Sequence, residues 1–101
     1  MTSSGTIDKL ANVVWIAASN TTVYLPDLGQ EAKYDGHVIM IRSKDATATV
    51  KASGSNGIYY SNSDYSNTLP GNTIYSSPCT LVFFAQVSYN NGQYKGLWVM
   101  I

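Results

Sequence analysis

From Val13 to Ile101 the apolar residues come in short β-branched and aromatic runs, each closed by Gly, Asn, Asp or Pro. No stretch keeps the 3.6-residue period of an amphipathic helix, so such a chain can bury its apolar residues only as strands. The expected strands are Val13–Ala17, Thr22–Leu25, His37–Arg42, Thr47–Ala52, Ile58–Tyr60, Thr73–Ser76, Thr80–Tyr89 and Tyr94–Ile101. A single helical turn is expected around Gln30–Lys33, within the loop from Pro26 to Gly36, and Ser61 to Asn72 reads as a polar stretch broken at Leu69-Pro70-Gly71. The fold class is all-β: a compact antiparallel β-sandwich or barrel-like domain of about eight short strands.

The last two strands carry the most information. Asn91-Gly92 is the dipeptide that a two-residue type I′ turn prefers, because both positions tolerate positive φ. That turn predicts one face pairing Tyr89 with Tyr94, Val87 with Gly96, Ala85 with Trp98 and Phe83 with Met100. The other face pairs Ser88 with Lys95, Gln86 with Leu97, Phe84 with Val99 and Val82 with Ile101. The first face is apolar throughout, and the second is polar near the turn and apolar at the far end.

The same two-sided pattern recurs in Val13-Val14-Trp15-Ile16 and Val38-Ile39-Met40-Ile41. A two-layer sandwich leaves one face of each sheet in water, so strands apolar on both faces need a third layer, supplied either by another copy of the chain or by a covering loop. On the first of these, Val82, Phe84, Leu97, Val99 and Ile101 are candidate oligomer contacts.

A length of 101 residues suits one domain. Residues 1–12 are mostly polar and read as an N-terminal segment or a shaft or linker stub, with Ile7, Leu10 and Val14 at helical spacing; residues 13–101 read as one all-β domain. Six basic residues balance six acidic ones, which leaves no net field to hold a nucleic acid or an anionic membrane. This low charge suits a protein held in an assembly. No apolar run reaches membrane-spanning length, and the start has no signal-peptide pattern, so the chain is expected to be made as a soluble protein or cut from a longer one.

Chemistry has few residues to work with. His37 is the sole histidine and reads as the exit from the Asp35-Gly36 turn rather than as a general base. Cys79, the only cysteine, excludes an intrachain disulfide and reads as an inert core thiol. Asp27, Glu31 and Asp35 recur every four residues and would share a helical face, but with Lys33 among them they read as a solvated acidic surface. No catalytic residue, metal site or cofactor is expected.

A binding surface is best argued between Gly54 and Ser77, where Tyr59, Tyr60, Tyr65 and Tyr75 stand among Ser, Asn and Gly. Such rings suit adaptable recognition and stacking on sugars, and equally suit packing between strands with the hydroxyls at the rim.

Three segments resemble the compact β-domains near the ends of bacteriophage fibre proteins, head and tail fibres alike. They are Thr22-Val23-Tyr24-Leu25-Pro26-Asp27, Asp35 through Ile41, and Thr49-Val50-Lys51-Ala52 leading to Gly57-Ile58; the likeness closes on Leu97-Trp98-Val99-Met100-Ile101. The resemblance implies a homotrimer around a threefold axis, in a virion fibre exposed outside the host cell after synthesis in the host cytoplasm. It also implies a part in displaying or forming a host-contact surface for a glycan or protein receptor. It carries over no binding residue. The alternative is a stand-alone, monomeric carbohydrate-binding module that uses the tyrosine-rich loops.

Overall fold

Along Val38–Ser43 exposed and buried residues alternate without a break, and the same alternation sorts the other strands into two layers. The computed structural model describes the chain except residues 55, 60–64, 67, 70–78 and 90–92, and describes only the backbone at 65, 66, 68, 69, 89, 93 and 94. The strands are β1 (Gly5–Thr6), β2 (Val13–Ile16), β3 (Thr22–Tyr24), β4 (Val38–Ser43) and β5 (Thr49–Lys51). They continue as β6 (Gly57–Tyr59), β7 (Tyr65–Ser66), β8 (Thr68–Leu69), β9 (Cys79–Tyr89) and β10 (Gln93–Met100). A 3-10 turn at Ala32–Tyr34 overlaps the second half of the helical turn expected around Gln30–Lys33.

Two sheets result, β1-β3-β5-β8 and β2-β4-β9-β10-β6-β7. From β1 to β6 the chain alternates between them, so that β1, β3 and β5 lie side by side in parallel, as do β2 and β4. β6 is also parallel to β10. The expected antiparallel architecture is thus corrected to a mixed one, with four parallel and four antiparallel pairings among the described strands. The reason is the winding. A chain that crosses the core after every strand returns to the first sheet running in its original direction.

The hairpin register also differs from expectation. Tyr89 pairs with Gln93, leaving three residues between the strands where two were expected; the Asn91-Gly92 turn lies outside the described residues. A bulge follows, in which Ala85 and Gln86 oppose the single residue Gly96. Beyond it Phe84 pairs with Leu97, Phe83 with Trp98 and Val82 with Val99. The expected strand Thr73–Ser76 falls on residues outside those described, whereas β7 and β8 lie in the stretch read as polar loop. Residues 1–12, expected as a separate segment, are part of the sandwich: β1 pairs with β3, and Ile7 is buried in the core.

The core is filled from the larger sheet by Ile16, Ile39, Ile41, Ile58, Leu81, Phe83 and Trp98, and from the smaller by Val23 and Val50. Trp98 lies 5.2 Å from Phe83 and meets His37 edge-on at 6.2 Å between ring centres. Its buried Nε1 has no hydrogen-bond partner among the described residues, a cost that the packing of the indole offsets.

Buried Asn56 fastens three parts of the chain. Its Oδ1 accepts from the Leu28 N–H at 2.9 Å, and its Nδ2 donates to the carbonyls of Gly29 and Gly96 at 3.0 and 3.1 Å. The fit excludes any side chain at position 96, where a Cβ would lie 2.0 Å from the Gly29 oxygen. At the opposite end, Asp45 joins the loops before β3 and β5. It accepts from the Ser19 hydroxyl, from the Thr47 N–H at 3.0 Å and from the Thr47 hydroxyl at 2.5 Å. These bonds hold its carboxyl down at about 2, Ser19 contributing most.

Two outcomes follow from these contacts. Gly96→Ala and Asn56→Ala each lower unfolding stability by about 1–3 kcal/mol, the first by overpacking and the second by stranding buried backbone groups, as read from urea midpoints. Because Asp45 binds its proton more weakly folded than unfolded, its contribution is complete above pH about 4 and is lost as pH falls through about 2. Asp45→Asn flattens that acid limb in thermal melts taken across the range, and an unchanged limb would remove Asp45 as its source.

Candidate functional site

The two outer faces of the sandwich differ. On the smaller sheet the outward positions are Thr6, Thr22, Tyr24, Thr49 and Lys51, with Tyr24 beside Lys51 and Thr22 beside Thr49. This is an ordinary wet face.

On the larger sheet the outward positions are mostly apolar across the middle of the strands, with Arg42 at the β2 edge and Gln86 and Ser88 towards the β9–β10 turn as exposed polar residues. One row runs Val38, Val82, Val99 and Tyr59 over β4, β9, β10 and β6. A second runs Phe84, Leu97 and Gly57, and a third Val13, Met40 and Thr80. Trp15 sits beside Arg42 at the β2 edge. Exposure is high for large apolar groups: 74% for Val13, 55% for Trp15 and 41% for both Met40 and Phe84.

Six strands about 4.8 Å apart, with about four residues each at 3.3 Å, give this face a projected area of roughly 400 Å². That is the scale of the largest apolar patches on monomers, which commonly mark interaction sites.

The structure brings together four of the five residues proposed as oligomer contacts. Val82 and Val99 are half-buried, Phe84 is exposed, and Leu97 is buried between Phe84 and Gly57. Ile101 follows the end of β10 and is 74% exposed, its N–H bonded to the Thr80 carbonyl at 3.0 Å. Val13, Trp15, Val38 and Met40 belong to the same face and complete it. Their signal was the two-sided apolar pattern in the first and central strands.

Of the tyrosines proposed for ligand binding, Tyr59 is half-buried at the β6 end of this face, and its backbone is in register with that of Tyr65 in β7. Tyr60 and Tyr75 lie outside the described residues.

The other candidates hold structural positions. His37 donates through Nε2 to the Ala11 carbonyl at 3.1 Å. Burial pushes the Cys79 thiol up to about 11, so it carries no thiolate at neutral pH. The three carboxylates read as an acidic helical face are dispersed. Asp35 accepts from the Ala85 N–H at the bulge at 2.9 Å, Asp27 accepts from the Gly29 N–H at 3.0 Å, and Glu31 lies 3.9 Å from Lys33 on the surface. Among the described residues no group of three His, Cys, Asp or Glu side chains is placed to hold a metal.

Comparison with protein-family models, with curated proteins and with solved structures finds no match to this chain. The apolar face is the feature from which function must be argued.

The two tryptophans report on it separately. With the face uncovered, iodide quenches Trp15 and spares fully buried Trp98, so Trp15→Phe leaves a blue-shifted emission that iodide does not touch; an assembly that covers the face shields Trp15 as well. Equal quenching in both proteins would place Trp15 out of solvent.

Proposed function

We propose that this chain is a structural module of a bacteriophage virion fibre, acting as a homotrimeric tip domain that contributes to attachment at a host surface. The observation that carries the reading is the apolar outer face of the larger sheet beside the polar outer face of the smaller one. Water alone gives a sandwich no reason for that difference, whereas a third layer does.

Further copies suit the face on three counts. Three such faces turned towards a threefold axis close one apolar interior, each copy meeting both neighbours. Three faces of roughly 400 Å² together bury about 1,200 Å², near the lower limit for specific interfaces. The net charge of zero sets up no repulsion between copies. The order of segments from Thr22 to Ile101, which resembles phage fibre tips, supplies the number three and the virion setting.

Sedimentation velocity at micromolar concentration is expected to give a mass three times that of the chain. Phe84→Asp places a carboxylate in the middle of the face and shifts the population towards monomer while circular dichroism stays unchanged. A wild-type protein that sediments as a monomer throughout would overturn the trimer and most of the fibre reading. If that monomer bound glycans through Tyr59, the carbohydrate-module alternative would replace it.

A further inference from the structure

A second concave surface lies apart from the apolar face. Thr6 to Leu10, Pro26, Asp27 and Tyr34 enclose an open cleft of about 760 Å³, within the usual range for small-ligand sites. None of its lining residues belongs to the outer face of the larger sheet.

The walls are held by the backbone. Ile7, buried at the floor, donates its N–H to the Tyr24 carbonyl at 2.8 Å. Asp8 Oδ1 accepts from the Leu10 N–H at 2.8 Å, and the Asp8 carbonyl accepts from the Ala11 N–H at 3.1 Å. On the other side Asp27 is fixed by the Gly29 N–H and packs on Gly54, where a Cβ would come within 1.9 Å of its Oδ2. Tyr34 rests against the core, with the Lys33 ammonium 5.1 Å from its ring centre.

This lining has a definite chemistry. Half-buried Tyr34 and exposed Leu10 offer apolar surface to a flat C–H face, as tyrosine rings commonly do, over a floor closed by buried Ile7 and Pro26. The Asp8 and Asp27 carboxylates keep acceptor capacity beyond their one backbone bond each, and the Lys9 ammonium and the Thr6 hydroxyl are donors. Opposite charges face the same space, which favours neither a simple anion nor a bare cation. A ring with one apolar face and several hydroxyls, able both to donate and to accept, uses all of these groups.

We propose that the cleft is a binding subsite for a neutral hexopyranose. This extends the attachment role given above, since a trimer would present several identical clefts and gain avidity from weak single contacts. The binding itself needs only one chain.

The test is a titration of the isotope-labelled chain with glucose, galactose, mannose and N-acetylglucosamine, followed by amide chemical shifts. Saturable shifts are expected at residues 8–10, 27 and 34 with at least one of these sugars. Lys9→Ala and Asp8→Ala, both at exposed positions, are expected to weaken that binding by about tenfold each, and Tyr34→Ala to abolish it. Phe84→Asp should bind the free sugar as wild type does and lose only retention on a sugar-coated surface. The proposal is overturned if none of these sugars gives saturable shifts in the cleft, or if the shifts survive Lys9→Ala and Asp8→Ala undiminished. Cleft shifts in a protein that sediments as a monomer would uphold the subsite and leave the trimer reading to fail alone.

Discussion

Where the Gly96 backbone passes the Gly29 carbonyl, with Asn56 bonded to both, the chain has no room for even a methyl group. Much else depends on that contact. It draws the loop after β3 and the link between β5 and β6 onto the middle of β10, and it coincides with the bulge at which β9 contributes two residues against one. The bulge frees the Ala85 N–H for Asp35 and resets the register, so that Phe84 lies beside Leu97 and Val82 beside Val99. The composition of the apolar face is set by a polar interaction buried on the opposite side of the same strands.

Strand existence was legible in the sequence because alternation and turn residues record it locally. Val38–Ser43 and the long hairpin stand within a residue or so of their expected limits. Pairing direction was not legible. An inward Val23 or Val50 looks the same whether its neighbour runs parallel or antiparallel, and only the return path of the chain decides. The part that residues 1–12 take in the sandwich is hidden for a related reason: two residues of β1 and one buried Ile7 make too short a pattern to stand out from a polar background.

The candidate sites divide along the same line. The apolar face could be foreseen because each strand carries its own share of it, and the residues overlooked as contacts, such as Trp15 and Met40, obey the same rule as those proposed. The cleft could not. Thr6 to Leu10, Pro26 and Asp27, and Tyr34 come from three separate stretches, and nothing in their spacing announces that the winding of the first three strands will bring them around one space. Asp35 shows the converse: a charge that looks solvated in the sequence meets a backbone N–H that exists as a free donor only because of a bulge far along the chain.

The placement of β10 also bears on how the domain carries load. β10 lies between β9, which runs antiparallel to it, and β6, which runs parallel, so both of its edges are paired from Leu97 to Val99. A pull along this strand from Ile101 acts across the ladder bonds of both neighbours at once and slides them in shear, rather than peeling them open singly. The Asn56 bond to the Gly96 carbonyl crosses that sliding plane like a dowel and adds to its resistance.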